Sequence, residues 1–220
     1  MEDVLDVYAR PYDPKRPQVC FDECSKELRS TPRGSLPLEA GVPERLDYEY
    51  ERDGTANLFV FVEPLAGRRR VAVTQRRTAS DVAQQLKILV DEDYPDAERI
   101  VLVCDNLNTH SAACLYERFA PQEARRIASK LEWRGHGSAV TDHTPEHGSW
   151  LNMAEIELSA LSRQCLNRRI PDRETLAGEV AAWEQERNAA QVKVRWQFTT
   201  EQARIKLGRL YPTVKEQTSA

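Results

Sequence analysis

The chain has 220 residues, of which 40% are hydrophobic and 30% are charged, and its formal net charge at neutral pH is −4. This composition is ordinary for a globular protein with a sizeable core, and the acidic balance argues against a chain whose whole surface grips nucleic acid. No apolar run approaches the roughly 18 residues of a membrane span. The acidic N-terminus has no signal pattern, so we expect a cytoplasmic protein without a membrane partner.

The first half of the chain predicts mainly β-structure. Residues 1–17 carry three prolines among polar residues and predict a linker or extended arm. The stretch QVCFDEC predicts a short strand, and a loop rich in Pro, Gly and Ser follows it. The stretch RLDYEYERDGTANLFVFVEP predicts a β-hairpin that turns at Asp53-Gly54, and RRRVAVTQ predicts a further strand.

The second half predicts helices around one buried strand. Ser80 is a candidate cap for a helix, and Ile100 to Cys104 is an apolar, β-branched run typical of a strand buried on both faces. A helix opens at Pro121, and the polar stretch WRGHGSAVTDH after it predicts a displaced or poorly formed strand. Further helices are predicted near Trp150, in PDRETLAGEVAAWEQERN, and after a capping box at Thr199 and Gln202.

The cysteines are scattered along the chain and include no CxxC pair, which predicts reduced thiols rather than a disulfide framework. A zinc site made by Cys20 and Cys24 with His110 or His147 is a weaker alternative, because the spacing is loose. The five cysteines are Cys20, Cys24, Cys104, Cys114 and Cys165.

Two carboxylate side chains lie in or next to apolar strands, where little water is expected. Asp22 lies within QVCFDEC, where an acid costs several kcal/mol unless a cation or hydrogen-bond donors compensate. Asp105 directly follows the apolar run that ends at Cys104, and sites gather at strand ends in α/β sheets. Hard cations such as Mg²⁺ take carboxylate oxygens, so the two acids can share a divalent metal ion.

A third acid would complete such a site, and the helix beginning near Trp150 offers Glu155 and Glu157. They fall on opposite edges of its apolar stripe, about 160° apart, so periodicity does not choose between them. Glu155 shares its edge with Asn152, which favours Glu155. Each acid alone also has an ordinary structural interpretation, namely backbone hydrogen bonds for Asp22, an Asx turn for Asp105 and a solvated helix position for Glu155.

Four stretches carry a resemblance to a known family. They read CFDE, VLVCDNLNTHS, HTPEHGSWLNMAEIELSALSRQCLNRRIPD and WQFTTEQARIKLGRLYP. They resemble the catalytic domain of bacterial insertion-sequence transposases of the mariner superfamily, the DDE type. The resemblance implies an α/β fold with a ribonuclease-H-like mixed five-stranded sheet flanked by helices. It also implies a catalytic domain over residues 18–212 and a C-terminal tail over residues 213–220.

The same resemblance implies the chemistry and the residues that perform it. Asp22, Asp105 and Glu155 would be the catalytic and metal-binding triad, with two Mg²⁺ ions or Mn²⁺ as a substitute. The implied activity is metal-dependent cleavage and strand transfer of DNA during transposition of an insertion sequence. Candidates for residues that support the triad or contact DNA are Asn106, His110, His147 and Asn152.

The resemblance also bears on partners. Family members usually carry N-terminal helix-turn-helix modules, and this chain begins at what resembles the linker after them. We therefore expect a nucleoid-associated homodimer that binds DNA together with a separately encoded helix-turn-helix module. The alternative is an inactive transposase remnant that acts as a dimerisation or inhibitory module. Any DNA contact by this chain would come from local basic clusters such as Arg68–Arg70 and Arg168-Arg169.

Overall fold

A mixed sheet lies at the centre of the computed structural model, which describes residues 1–32, 35–36, 45–46, 48–105, 111–135 and 151–210. Within these residues the sheet has five strands in the order β5-β4-β1-β6-β7. They are β1 (Gln18–Ser30), β4 (Glu51–Glu63), β5 (Arg68–Thr74), β6 (Ile100–Cys104) and β7 (Leu131–Gly135). A separate pair joins β2 (Ser35–Leu36) to β3 (Arg45–Leu46).

Strands β1, β6 and β7 are parallel, and β6 lies between the other two. All five residues of β6 are buried, because the strand is covered on both faces. β7 pairs with β6 over its whole length, so the prediction of a displaced or poorly formed fifth strand is wrong. Leu131 and Trp133 alternate along β7 and pack on the core, which gives this short strand its apolar face.

The predicted hairpin turn at Asp53-Gly54 is also wrong. β4 runs through both residues and pairs antiparallel with β1, and its other neighbour is β5. Glu27 lies opposite Thr55 and Arg29 lies opposite Arg52, so two residues of β4 face one of β1. Gly54 has a φ of 95° at this point. The Asp-Gly pair therefore forms a β-bulge, for which a left-handed glycine is as well suited as for a turn.

The N-terminal residues form a helix instead of the predicted linker or extended arm. Helix α1 (Glu2–Tyr8) buries Val4, Leu5, Val7 and Tyr8 against the sheet. The three prolines that suggested an extended arm all follow this helix in the sequence, and the extended arm is limited to the residues that contain them.

Further helices flank both faces of the sheet. Helix α2 begins after Thr78, whose side chain forms a capping box with Asp81, so Thr78 and not Ser80 is the cap. Pro121 opens α4 and Thr199 forms the predicted capping box of α7 with Gln202. The bounds are α2 (Ala79–Ile88), α3 (Ala113–Arg118), α4 (Pro121–Lys130), α5 (Ala154–Leu161), α6 (Arg173–Ala189) and α7 (Thr200–Lys206).

The two faces of the sheet carry separate cores. One face, with Phe21 and Leu102, packs on α2, α3 and α4. The other face, with Cys20 and Val103, packs on α1, α7 and the start of α5, and its β4 side packs on the rest of α5 and on α6. All five cysteines are free, as predicted. No helix among the described residues is long and apolar enough to cross a membrane.

Gly67, in the turn between β4 and β5, gives a prediction about stability. Its φ is 71°, and an added Cβ would lie 2.6 Å from the carbonyl carbon and oxygen of Gln191. We expect Gly67→Ala to lower the free energy of unfolding by about 1–3 kcal/mol in urea denaturation, because the backbone is both left-handed and crowded. Gly178→Ala is the control, because nothing lies within 4 Å of that Cβ. It should raise stability by about 0.5–1 kcal/mol within α6. Equal stability of the Gly67 variant and the wild type would contradict the expectation.

Candidate active site

Asp22 and Asp105 lie side by side where β6 ends. Phe21 is opposite Cys104 in the parallel register of β1 and β6, and each aspartate is the next residue along its chain. Neighbouring strands are about 4.8 Å apart, and residues that correspond in a parallel pair point to the same face. The two aspartates therefore leave the sheet on the face that packs against α1 and the start of α5.

The negative charges of these two aspartates raise the pKa values of nearby cysteine thiols. Burial raises the pKa of the Cys104 thiol well above its ordinary value, and the charges of Asp105 and Asp22 raise it further. Burial also raises the pKa of Cys24 to about 11, and Asp22 again contributes. Neighbouring carboxylates repel each other unless a cation lies between them. This pair of oxygen donors therefore fits a divalent metal ion.

Asn152 joins the segment before α5 to β1. Its Nδ2 donates to the Phe21 carbonyl at 2.8 Å and to Asp22 Oδ2 at 3.5 Å. Its Oδ1 accepts from the backbone N–H of Ala154 at 3.1 Å, and the side chain is buried. The other predicted supporting residues lie outside the described residues, and so do the histidines of the zinc alternative. These are Asn106, His110 and His147.

Helix α1 also contacts the segment before α5, through Tyr8. The Tyr8 hydroxyl donates to the Leu151 carbonyl at 2.7 Å and accepts from the backbone N–H of Met153 at 3.4 Å. These two bonds fix the backbone on both sides of Asn152. Tyr8 is thus a site residue that the sequence did not reveal, because the prolines after α1 suggested an extended arm.

The two glutamates at the start of α5 have opposite surroundings. Glu157 is fully buried, and its carboxylate accepts from Arg187 at 2.9 and 3.1 Å. Its Oε2 also lies 3.3 Å from Nε of the buried Arg69. Glu155, two residues earlier, is exposed. Because the Glu157 carboxylate is engaged by two guanidinium groups, Glu155 is the α5 glutamate that can reach an external ligand.

The triad of Asp22, Asp105 and Glu155 stays a prediction. Across the described parts of the chain, no three His, Cys, Asp or Glu side chains lie close enough together to hold a metal ion. The β1–β6 register places Asp22 beside Asp105, and Glu155 lies in the first turn of α5. Asn152, in the segment just before this helix, donates a hydrogen bond to Asp22.

The arginine clusters that were expected to contact DNA are largely engaged within the chain. The expectation is wrong for Arg69, which points inward from β5 and is fully buried. Arg70, Arg168 and Arg169 also contact other residues of the chain, and these contacts help to hold the fold together. The partners are Glu157 for Arg69, Asp93 for Arg70, Glu179 for Arg168, and the Tyr48 and Glu49 carbonyls for Arg169.

The class of protein follows from a structural comparison and a family comparison. The mixed sheet and its flanking helices form a ribonuclease-H-like domain similar to that in the crystal structure of the Mos1 strand transfer complex. The TM-score is 0.53 and the identity 16%, over 86% of this chain and 54% of that chain. A family model described as DDE superfamily endonuclease matches residues 17–177. The chain belongs to this family of DDE-type nucleases, which confirms the resemblance.

A second solved structure and a search of curated proteins complete the comparison. The cryoEM structure of the simian T-cell lymphotropic virus intasome in complex with PP2A regulatory subunit B56 gamma matches with a TM-score of 0.44 and 12% identity. That match covers 76% of this chain and 48% of that chain. This chain therefore spans about half the length of each matched chain. The search of curated proteins found no match.

The buried glutamate gives a prediction that separates it from Glu155. Glu157→Gln should lower the free energy of unfolding by about 3–5 kcal/mol in urea denaturation, because it leaves Arg69 buried without its carboxylate. Glu155→Gln is the matched control on the same helix. It should change stability by less than about 1 kcal/mol, because the side chain is exposed. If the two variants unfold at the same urea concentration, the assignment of Glu157 as the buried structural carboxylate fails.

Proposed function

We propose that this chain is the catalytic domain of a transposase of an insertion sequence, which cleaves DNA strands and joins the freed ends to a target. The observation that carries the proposal is the β1–β6 register, which sets Asp22 beside Asp105. The family supplies the reaction class, since the chain is a DDE superfamily endonuclease.

The proposed ligands of the metal ions are Asp22, Asp105 and Glu155, holding two Mg²⁺ ions for which Mn²⁺ can substitute. Bound at carboxylates in a nuclease, such ions lower the pKa of a bound water and stabilise charge on the attacked phosphate. The chain itself contributes placement. Asn152 bonds the Asp22 carboxylate, and Tyr8 fixes the backbone that leads into α5.

The proposed partners follow from the same function. With 31 basic against 35 acidic residues, the chain has little charge for general DNA binding. We propose that a separately encoded helix-turn-helix module reads the DNA sequence and that the active species is a nucleoid-associated homodimer.

A second candidate function is an inactive remnant that dimerises with or inhibits a complete transposase. The observation that favours it is the position of Glu155, which does not form a three-carboxylate cluster with the aspartates in the described residues. Metal-dependent cleavage by the wild-type chain decides between the two.

Nicking of supercoiled plasmid tests the active-site residues. We expect the wild type to nick DNA with Mg²⁺, and Asp105→Asn and Glu155→Gln each to reduce the rate by roughly a hundredfold or more, because each removes a metal ligand. Asp96→Asn is the control, since this exposed aspartate precedes the opposite end of the same strand. No nicking by the wild type supports the remnant, and full activity of either active-site variant removes that residue from the triad.

Metal binding itself can be measured without the reaction. Mg²⁺ or Mn²⁺ should raise the melting temperature of the wild type, because a ligand that binds the folded state stabilises it by mass action. Asp105→Asn should lose most of this shift and Asp96→Asn should keep it. Equal shifts in all three proteins would show that the ions bind elsewhere.

A further inference from the structure

A basic cavity lies at the end of the sheet opposite the aspartates. Its volume is about 450 Å³, and it is lined by Arg10, Tyr12, Lys193 and Arg195, together with apolar residues of the β4–β5 turn and Gln191. No carboxylate lines it. We propose that this cavity binds the phosphate backbone of duplex DNA, as a contact separate from the catalytic carboxylates.

The basic side chains are directed outward by the fold. The segment after α6 is extended and alternates, with Val194 and Trp196 packing on the core while Lys193 and Arg195 are exposed. Residues two apart on an extended chain point the same way. Packing of the apolar residues therefore presents both cations to the same side.

The walls of the cavity are held in place by backbone contacts. The N–H of Val194 donates to the Pro64 carbonyl at 3.0 Å, which joins the segment after α6 to the turn after β4. Gly67 packs tightly on the backbone of Gln191, and Gln191 itself has a φ of 46°. A left-handed non-glycine residue persists only where its surroundings enforce it. The cavity is therefore built before any ligand arrives.

The charge in this cavity differs from that of the arginine clusters described above. Arg69, Arg70 and Arg168 each have a carboxylate partner. Arg10 is partly neutralised, since its Nη1 lies 3.7 Å from Glu132 Oε1. Lys193 and Arg195 form no ion pair with any described part of the chain. Tyr12 is 54% exposed, and its hydroxyl can donate a hydrogen bond. Lysine, arginine and tyrosine are common donors to DNA phosphates.

The position of the cavity fits a long duplex. The Arg10 carbonyl accepts from Gln18 Nε2 at 3.3 Å, and Gln18 begins β1 four residues before Asp22. This contact places the Arg10 wall of the cavity roughly 13 Å from Asp22 along β1, or about four base-pair steps of DNA. We infer that it holds the duplex away from the cleaved phosphate. This inference rests on the proposed function for its choice of DNA as the ligand.

The test compares two double variants that remove the same charge. The cavity variant is Lys193→Gln with Arg195→Gln, and the control is Arg125→Gln with Arg173→Gln, both exposed on helices. Binding of a 30-base-pair duplex is measured by fluorescence anisotropy across a salt series without divalent ions. We expect the cavity variant to reduce the slope of log K against log salt by about two, because each lost phosphate contact removes about one released counterion.

The control variant should keep the wild-type slope. An unchanged slope in the cavity variant, or an equal loss in the control, overturns the proposal.

Inorganic phosphate is a second probe. If it raises the melting temperature of the wild type but not of the cavity variant, while the DNA slope is unchanged, the cavity binds a small anion and not DNA. Failure here is distinct from failure of the proposed function, because plasmid nicking is measured separately. If the wild type nicks DNA but the cavity variant keeps the wild-type slope, only the proposal that the cavity binds DNA is refuted. If the cavity variant changes the slope but the wild type does not nick DNA, only the proposed enzymatic function is refuted.

Discussion

The burial of the Glu157 carboxylate is the constraint on which the arrangement of the site depends. A carboxylate removed from water needs cations, and here they come from β5 and α6, through Arg69 and Arg187. This fixes the rotation of α5. Successive residues of a helix are about 100° apart, so Glu155 is turned to the far side. The sheet, α6 and the outward glutamate of α5 are thus coupled through one ion cluster.

The parts of the fold that could be predicted are those whose signal is local and uncontested. Strand β6 was predicted at its observed residues because they form an uninterrupted apolar, β-branched run, and all five are buried. The start of α4 at Pro121 and the capping box of α7 also agreed with their sequence patterns. Asp53-Gly54 shows the limit of such signals. A left-handed glycine serves a turn and a bulge equally, and pairing with the distant β1 decides between them.

The candidate site was partly predictable for the same reason. Asp22 and Asp105 stood out because each is an acid attached to an apolar strand. Helical periodicity alone did not separate Glu155 from Glu157, because the arginines that pair with Glu157 lie about 90 positions before it and 30 after it in the chain. Arg69 was misinterpreted within a basic run, because alternation along β5 turns it inward, and only the fold shows what it meets. Partners distant in sequence leave no local pattern.

Helix α1 changes where the catalytic unit must be taken to begin. The family match starts at residue 17, yet the sheet face beneath the aspartates is covered in part by Val4, Leu5 and Val7. A shortened protein cut at the family boundary would keep Asp22 and Asp105 and both glutamates of α5. It would also expose this part of the core to water and free the backbone around Asn152 from the Tyr8 hydroxyl. The sequence-defined domain and the smallest unit able to fold with an ordered site are therefore different lengths of chain.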